Sequence, residues 1–574
     1  MLPFIYADAF MAPAGPRAVA AAMVDAGIAR TRLVLQQWNP RLRPSRARLD
    51  GRLPDLLLIS ALQVHRARCQ ELIADACRIP PKQRPLIIAG GPLMIYEPWA
   101  AFGADASLHG SADIAVTGEE VVLLTLLERL LSGRKGGERP RATFARMRGE
   151  GMLADIPGLL YTRPDVGDTS RPEALIDTGV PKLLADLDEL PDPALGFRIL
   201  EPPGRGAEPA PRPLPSRRVR RHSPIAALMV TAGCKYGCPY CPIPAYNQRL
   251  HRVKSPERTV DEMRRLRDEF GFRRFSLLGG NFFDDHAHAT TVIDAIDASG
   301  LARPGRGRIQ WGTEATVRDA LAMGDHLPTA ARAGMTGLWL GVEDLSGRLI
   351  RKGQSEGRTL ALLGLLRRAG INPMPMLMHH DGQPLLTFRS GYGLLNQVRL
   401  LRRRGAQDVQ ILMNVPMPGA PNYEALYRTG IAYERVGDRE PASYVMGGNF
   451  VVASRARAPW RKQLNILAAY AWFYNPLRLL WALARPKTAR YAADALSQAL
   501  GMWGLARSVP AMMRWSVLLA ARKKVRAERA PASHIPMRAP DGGPASHDVT
   551  PVKRRETARM LNAAGGVASP PRTG

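Results

Sequence analysis

Cysteine is scarce in this 574-residue sequence, which contains only five. So few cysteines exclude a small secreted scaffold held by disulfides and favour a reducing compartment. The first residues, MLPFIYAD, lack both the basic stretch and the long apolar core of a signal peptide. We therefore expect a cytoplasmic protein. A hydrophobic content of 45% and a charged content of 23% exclude a largely disordered or collagen-like chain.

Acidic residues are the second shortage. The chain has 51 Asp and Glu against 80 Lys and Arg, for a net charge of +29. The imbalance is concentrated from residue 451 to the end, where 21 basic residues face 5 acidic ones. A basic surface attracts nucleic acid, anionic lipid or acidic partners, and composition does not choose among them. The excess of Arg over Lys is also typical of a GC-rich genome.

Uninterrupted apolar runs of membrane-spanning length are lacking as well. Residues 464–483 approach that length but contain Pro476 and Arg478, and residues 502–521 contain two arginines and a proline. For residues 451–525 we expect amphipathic helices that pack on the rest of the protein or lie at a membrane surface. Residues 526–574, rich in Pro, Ala, Gly and charge, are expected to form a disordered basic tail.

The rest of the chain alternates short apolar runs with helical patterns, which predicts an α/β protein. Within residues 1–195 the apolar runs end in Ser60, Gly90 and Gly118, and they predict buried parallel strands in a doubly wound, Rossmann-like domain. Residues 196–224, dense in Pro and Arg, predict a linker that cannot pack a core. Six strand–helix pairs over residues 225–450 predict a partial (β/α)6 barrel of the TIM type. The predicted barrel strands are Ala226–Thr231, Phe275–Leu278, Arg308–Trp311, Gly337–Val342, Pro373–Met378 and Val409–Asn414.

Three cysteines form the most informative motif. Cys234, Cys238 and Cys241 have the spacing C-x3-C-x2-C directly after the first predicted barrel strand. Soft thiolate ligands select iron–sulfur clusters or zinc, and glycines within the motif allow the backbone to turn tightly. A cubane with three protein ligands leaves one iron open to a substrate or cosubstrate. The alternatives are a zinc knuckle or three unrelated core cysteines, but no nearby fourth Cys or paired His completes a structural zinc site.

This spacing and its place in a β/α region resemble the radical S-adenosylmethionine superfamily, whose pattern includes an aromatic residue at the position of Tyr240. The resemblance implies a 4Fe-4S cluster held by the three cysteines, with S-adenosylmethionine bound at the open iron. It also implies reductive cleavage to a 5′-deoxyadenosyl radical, with an electron donor such as flavodoxin or ferredoxin.

Other strand ends support this resemblance. Gly279, Gly280 and Asn281 match the corner that contacts the methionine amino group in the family, although the family often has Glu in place of Asn281. Glu314 follows the third predicted strand, and Glu343 ends the fourth. By this resemblance, these residues and Tyr240 are candidates for cofactor binding. Barrel enzymes place their chemistry at these carboxyl ends of the strands.

The N-terminal region resembles the cobalamin-binding domain that precedes many members of the superfamily. Ser60 and Leu62 end one strand, and Gly90 and Gly91 end the next, as in the slot for the cobalamin nucleotide tail. Small residues are needed there because the tail runs against the backbone. The D-x-H-x-x-G segment that supplies a cobalt-ligating His in some cobalamin proteins does not occur, so the resemblance implies cobalamin without a protein His ligand, or a domain that has kept only the fold.

Together the resemblances imply a cobalamin-dependent radical enzyme, most simply a C-methyltransferase acting on an unactivated carbon. A radical cyclase or oxidase with the same cofactors is the first alternative. An RNA-modifying protein is another, but we find no RNA-binding motif and expect no nucleic-acid partner. A cofactor sensor without turnover is a further alternative. The substrate is expected to be a small or lipid-like molecule, and the C-terminal region is a candidate for peripheral membrane contact.

Overall fold

The fold is α/β, with a mixed N-terminal sheet, a parallel second sheet and a helical C-terminal region. The structure is a computed structural model. It describes residues 11–103, 110–163, 174–204, 206–347, 352–389, 391–441, 448–484 and 491–534. The fold class predicted from the sequence is confirmed.

The N-terminal sheet has five strands in the order β1-β2-β3-β4-β5. The first three are parallel, and their register pairs Ser60 with Gly90 at the carboxyl edge. Alternate residues of these strands enter different cores, with Ile88 on one face and Ile87 on the other, so helices cover both faces. Two short antiparallel strands that we did not predict extend the sheet. The strands are β1 Leu56–Ser60, β2 Leu86–Gly90, β3 Ile114–Val116, β4 Leu159–Thr162 and β5 Leu175–Asp177.

Helices of the N-terminal region connect and cover these strands. They are α1 Ala14–Asp25, α2 Arg66–Cys77, α3 Pro92–Tyr96, α4 Glu120–Ser132, α5 Pro140–Gly149 and α6 Pro193–Arg198. Short 3-10 turns lie at Pro44–Arg46, Gln63–His65, Pro98–Ala101 and Leu187–Glu189.

The second sheet has six parallel strands that lie side by side in chain order, as in a half-barrel. The strands are β6 Ile225–Met229, β9 Arg274–Leu278, β10 Gln310–Thr316, β11 Met335–Glu343, β12 Asn372–His379 and β13 Gln410–Met413. Two further short strands, β7 Thr231–Ala232 and β8 Arg252–Val253, form a separate antiparallel pair. The predicted partial barrel of six parallel strands is therefore confirmed.

Outer helices alternate with the barrel strands. They are α7 Ser216–His222, α8 Ile243–Tyr246, α9 Pro256–Phe270, α10 His286–Ala298, α11 Val317–Ala322, α12 Leu327–Arg332, α13 Glu356–Ala369, α14 Leu394–Arg403 and α15 Tyr423–Arg428. A 3-10 turn, Gly324–His326, joins α11 to α12.

The two faces of the barrel sheet have different environments. Leu338 and Leu340 of β11 belong to the large core shared with the outer helices. The intervening Trp339 is only partly buried and faces the concave side, where a Cβ added at Gly312 would lie 3.8 Å from its ring. Met374 of β12 lies over Gly337 on the same side. The concave face is thus lined by large flexible side chains beside glycines.

The Pro- and Arg-rich segment is not a passive linker, which corrects the expectation for residues 196–224. Leu214 and Val219 are buried in the barrel core, and α7 carries Val219 there. The Glu201 carboxylate accepts a 2.8 Å hydrogen bond from Arg32. The sequence did not predict the burial of Leu214 and Val219, because each is a single apolar residue in a polar stretch. The arginines around Val219 are exposed.

The C-terminal region is helical, as predicted, and packs on the barrel. Its helices are α16 Pro459–Phe473, α17 Pro476–Leu483 and α18 Tyr491–Ala521. Tyr470 donates a 3.0 Å hydrogen bond to the carbonyl of Ile411 in β13, and Trp515 is buried in the same core. Within the described residues, no helix is both long and apolar enough to cross a membrane.

The chain continues past these helices as an ordered segment through His534, which corrects part of the expectation of a disordered tail from residue 526. Strand β15, Lys524–Arg526, pairs antiparallel with β14, Tyr433–Val436. His534 then donates its backbone N–H to the carbonyl of Tyr96, at 2.7 Å. The apolar Ala527, buried against Ala432, explains why this basic stretch can be held. Residues 535–574 lie outside the described residues.

Candidate active site at the carboxyl ends of the barrel strands

The three cysteines lie on the loop that joins β7 to α8, at the carboxyl end of the first barrel strand. Gly233 enters this loop with φ +90°, and a Cβ there would collide with the carbonyl of Leu250. Only glycine fits that backbone position. The amide of Cys241 donates a 3.0 Å hydrogen bond to the carbonyl of Cys238, which closes the loop.

The chemistry of the three thiols fits a soft metal cluster. Each is partly exposed and free of a disulfide. Burial, with a smaller contribution from neighbouring thiols, raises the pKa of Cys234 to about 12 and that of Cys241 to about 11. A metal would be required to deprotonate them. In the described part of the chain, no three His, Cys, Asp or Glu side chains are arranged to hold a single ion. A cubane presents a separate iron to each thiolate, so its ligands need not converge on one point.

One end of the cysteine loop is anchored by a buried polar network. The amide of Lys235 donates a 2.6 Å hydrogen bond to the Asp284 carboxylate, and its ammonium lies 3.2 Å from Asp319. The Tyr236 hydroxyl donates a 3.1 Å hydrogen bond to Asp319. Burial alone would raise the pKa of Asp319, but hydrogen bonds from four side chains outweigh it and lower that pKa. Two of the three residues between Cys234 and Cys238 are therefore held to the barrel by two carboxylates.

Asn281 is the hub of this network. Its side-chain amide donates to Asp284 at 2.8 Å and to Asp319 at 2.6 Å, and the side chain is fully buried. Both amide hydrogens are therefore used within the fold. The contact of Asn281 with S-adenosylmethionine stays a prediction; the structure shows that an amide bridges two carboxylates here, where the Glu typical of the family would repel them.

The other end of the loop is anchored at the end of β11. The Tyr240 hydroxyl donates a 2.5 Å hydrogen bond to Glu343, and Lys352 donates a 2.9 Å hydrogen bond to the same carboxylate oxygen. The second oxygen of Glu343 is buried and has no hydrogen-bond partner among the residues that the structure describes. Glu343 also has φ +53°, a left-handed conformation that is strained for a residue with a side chain. A strained, buried carboxylate with a free oxygen beside the cysteine loop is a candidate ligand group.

Glycines at the end of β9 allow the cysteine loop to approach the sheet. A Cβ at Gly280 would lie 3.1 Å from the Cβ of Cys234 and 2.8 Å from the carbonyl of Gly233. A Cβ at Gly279 would collide with the hydroxyl of Thr231. The structure therefore brings both predicted glycines against the loop, and their contact with a cofactor stays a prediction.

Glu314 lies on the concave face of the barrel, at β10. Its side chain makes no hydrogen bond or ion pair that the described residues reveal, and burial raises its pKa to about 7. The neighbouring concave positions are Trp339 and Met374. A carboxyl group that can gain or lose a proton near neutral pH, next to apolar walls, suits a site for a substrate or cofactor.

The residues predicted to line a cobalamin slot lie at the carboxyl edge of the N-terminal sheet. Gly91 has φ +85°, and a Cβ there would lie 2.7 Å from the Ser60 hydroxyl. Ser60 is exposed and Leu62 is 37% exposed, so the edge is open. Gly90 leaves room there, since a Cβ at that position would meet only the carbonyl of Val116, at 3.7 Å. The structure thus brings Ser60, Gly90 and Gly91 together beside Leu62.

Tyr96 connects this edge to the cysteine loop. It ends α3, the short helix that follows Gly91, and its hydroxyl donates a 3.2 Å hydrogen bond to the carbonyl of Pro242. Its ring also packs on Gly419, where any side chain would collide with it. The edge of the N-terminal sheet and the residue after Cys241 are therefore one short helix apart.

Sequence reasoning missed some of these residues as site components. Asp319 follows a threonine N-cap in α11 and has the pattern of an ordinary helix-surface acid. Tyr96 lies in an apolar stretch with no motif. Lys352 lies nine residues beyond Glu343, a separation at which the sequence alone does not reveal their ion pair.

A surface cavity of about 1140 Å³ opens elsewhere, lined by Asp297, Arg308 and Arg332 among others. These residues precede strands β10 and β11, so the cavity lies at the amino ends of the strands. Because barrel enzymes use the opposite end, we do not assign the chemistry to it.

Comparison with known proteins agrees with this geometry. Residues 228–387 match the family described as the Radical SAM superfamily. Cytidylyl-2-hydroxyethylphosphonate methyltransferase from Streptomyces wedmorensis is 25% identical over 249 residues, 42% of this chain and 43% of that protein. The match therefore spans less than half the length of that relative.

Two solved radical S-adenosylmethionine enzymes share the fold. The methyltransferase TsrM from Kitasatospora setae, solved with tryptophan and an S-adenosylmethionine analogue, is 17% identical with a TM-score of 0.56, over 88% of this chain and 97% of that chain. TsrM has also been solved with cobalamin and a [4Fe-4S] cluster, at a TM-score of 0.52, 16% identity and coverage of 79% of this chain and 88% of that chain. The cobalamin-dependent enzyme OxsB, with aqua-cobalamin and S-adenosylmethionine bound, is 14% identical with a TM-score of 0.55, over 79% of this chain and 63% of that chain.

Proposed function

We propose that this chain, whose residues 228–387 match the Radical SAM superfamily, is a radical S-adenosylmethionine enzyme that uses cobalamin to methylate an unactivated carbon of a small molecule. The carrying observation is Tyr96, which links the open edge of the N-terminal sheet to the cysteine loop. Two cofactors bound at those places would lie at facing strand ends, where one substrate could meet both. We assign residues 1–195 to the cobalamin domain and residues 225–450 to the radical domain.

When bound, the cluster, S-adenosylmethionine and cobalamin supply radical formation and a transferable methyl group. The protein's own residues would hold them. Cys234, Cys238 and Cys241 are the proposed cluster ligands, oriented by Asp319 at one end of their loop and by Glu343 at the other. We propose that the second carboxylate oxygen of Glu343 accepts a hydrogen bond from S-adenosylmethionine, since it is buried and has no partner among the described residues.

At the N-terminal edge, we propose that the cobalamin tail lies between Ser60 and the Gly90–Gly91 turn, with Leu62 as an apolar wall. Gly90 contributes space, because a Cβ added there would have only one atom within 4 Å, the carbonyl oxygen of Val116. No protein His ligand is proposed for the cobalt.

The substrate would occupy the concave face of the barrel. Trp339 and Met374 offer apolar contact, and Glu314 offers a carboxyl group that exchanges a proton near neutral pH. An external electron donor such as flavodoxin or ferredoxin would reduce the cluster. Cytoplasmic localisation remains part of the proposal.

The test is anaerobic reconstitution with iron, sulfide and cobalamin, followed by S-adenosylmethionine and a reductant. We expect bound cobalamin by visible absorbance, together with 5′-deoxyadenosine and S-adenosylhomocysteine. Deoxyadenosine without S-adenosylhomocysteine would favour a radical cyclase or oxidase. The absence of both products would contradict the proposal.

A slot-filling variant makes the cobalamin test specific. Gly90→Leu places an isobutyl group in the proposed slot and should lower cobalamin affinity at least tenfold while leaving iron content unchanged. Gly136→Leu is the matched control, because nothing lies within 4 Å of a side chain added there. Unchanged cobalamin binding by Gly90→Leu would place the cofactor elsewhere.

A further inference from the structure

Helices α17 and α18 turn apolar side chains to the outside of the protein. The exposed members of this surface, which we term the C-terminal apolar face, are Leu477, Leu480, Trp481, Leu483, Leu496, Trp503, Met513 and Val517. Leu477 is 77% exposed, and Leu480 and Trp481 are each more than 60% exposed. Single exposed apolar residues need no explanation, but a concentration on two adjacent helices indicates an interaction surface.

The exposed residues of α18 form a continuous stripe. Leu496, Trp503 and Val517 are separated by multiples of seven residues, and Met513 lies between the last two, so they share one side of the helix. From Leu496 to Val517 the stripe is about 32 Å long at 1.5 Å per residue. The opposite side packs on the barrel core through buried residues that include Trp515. The helix thus lies along the protein with one apolar face inward and another outward.

The charge around this face has one sign. Residues 459–521 contain eight Lys and Arg but a single acid, Asp494. That acid is paired with Arg402 at 2.8 Å. Arg507 and Arg514 are exposed on α18, and the Arg507 guanidinium lies 4.8 Å from the centre of the Trp503 ring. An apolar stripe with tryptophan and flanking arginines, and with no free acid in the sequence between 459 and 521, is the pattern of a helix lying at an interface.

We propose that the C-terminal apolar face docks on the surface of an anionic lipid bilayer. The leucines and tryptophans would enter the boundary between headgroups and acyl chains, and the arginines would contact phosphate groups. A second copy of the chain is disfavoured because two such faces would bring like charges together. Nucleic acid is disfavoured because the face is mainly apolar. The proposal concerns this surface and holds whichever reaction the barrel performs.

The experiment is sedimentation of the full chain with vesicles of phosphatidylcholine and phosphatidylglycerol in equal parts, and with vesicles of phosphatidylcholine alone. We expect binding to the anionic vesicles that weakens with salt and is much weaker on neutral ones. Leu480→Asp/Val517→Asp should reduce the bound fraction at least tenfold, because both side chains are exposed and the changes place charge in the docking face. Arg507→Gln/Arg514→Gln should lower affinity roughly fivefold for each arginine removed.

The matched control is Met152→Asp, an exposed apolar residue of the N-terminal region at 44% exposure. It should bind vesicles like the unchanged chain, and all variants should keep the same circular dichroism spectrum. No binding to anionic vesicles would overturn the proposal. Equal loss in Met152→Asp would also overturn it, and so would a dimer in light scattering that Val517→Asp dissociates, since that would assign the face to a second copy.

Discussion

The ordered segment after α18 offers a direct test of how the two halves of the protein are held together. We predict that a chain ending at His534 is as stable as the full chain, whereas one ending at Arg522 is not. The longer truncation removes β15 and the contacts of His534 with α3 and β5.

The expected magnitude follows from the named contacts. Ala527 donates a backbone hydrogen bond to Ala432 at 3.0 Å, and Pro531 accepts one from Tyr423 at 3.1 Å. His534 adds a backbone hydrogen bond to Tyr96 and an ion pair with Asp177 at 2.9 Å. At about 1 kcal/mol net for each hydrogen bond, these contacts contribute about 4 kcal/mol before the β15 ladder is counted. At an unfolding entropy of about 2.1 cal/mol/K per residue, this loss should lower the apparent melting temperature of the 574-residue chain by roughly 3 °C.

The assay is thermal unfolding of the three chains followed by circular dichroism, at two pH values. Burial lowers the pKa of His534, but Asp177 outweighs it and the net shift is upward. A raised histidine pKa gives stability that is present below the unfolded value of 6.5 and lost as pH rises above it. The difference between the two truncations should therefore be larger at pH 6 than at pH 8.5. Equal melting temperatures for all three chains would refute this reasoning.

Two further predictions concern single buried groups. Lys352→Met leaves the Glu343 carboxylate buried without its cation, so it should lower the free energy of unfolding by roughly 3 kcal/mol, measured by urea unfolding of the apoprotein. Most of this loss should be recovered in Lys352→Met/Glu343→Gln, and an equal loss in the single and double variants would contradict the pairing. Burial lowers the pKa of His379 to about 4, so the stability that depends on its neutral form is present above pH 6.5 and is lost as pH falls toward 4. The loss should reach about 3 kcal/mol and be smaller in His379→Gln, and an unchanged acid profile in that variant would contradict it.

The sequence was most informative where apolar runs were bounded by small residues. The ends of β1 at Ser60 and of β2 at Gly90 were placed to the residue, because buried parallel strands are apolar on both faces and end at a turn. The third barrel strand was placed at Arg308–Trp311 but runs from Gln310 to Thr316. In its later part, buried residues alternate with polar side chains such as Glu314 that face the concave side. The predicted strand therefore stopped at Trp311, before the true end of β10.

Some features could not be derived from local pattern. Strands β4 and β5 have four and three residues, too few to show a period. The cysteine ligands were evident from spacing, but the network around Asp319 joins residues from three separate strand ends. Such a network depends on the barrel's closure, which no single segment encodes. The buried anchors at Leu214 and Ala527 were hidden for a similar reason, since each is one apolar residue in a polar stretch.

The most direct test of the central claim is the iron content of three chains after anaerobic reconstitution. The unchanged chain should bind about four irons and show the visible absorbance of a cubane cluster. Cys238→Ala should lose that absorbance and most of the iron. Cys77→Ala is the matched control, a partly buried free cysteine in the N-terminal region, and it should load like the unchanged chain. Full loading of Cys238→Ala, or equal loss in both variants, would contradict the assignment of the cluster to this loop.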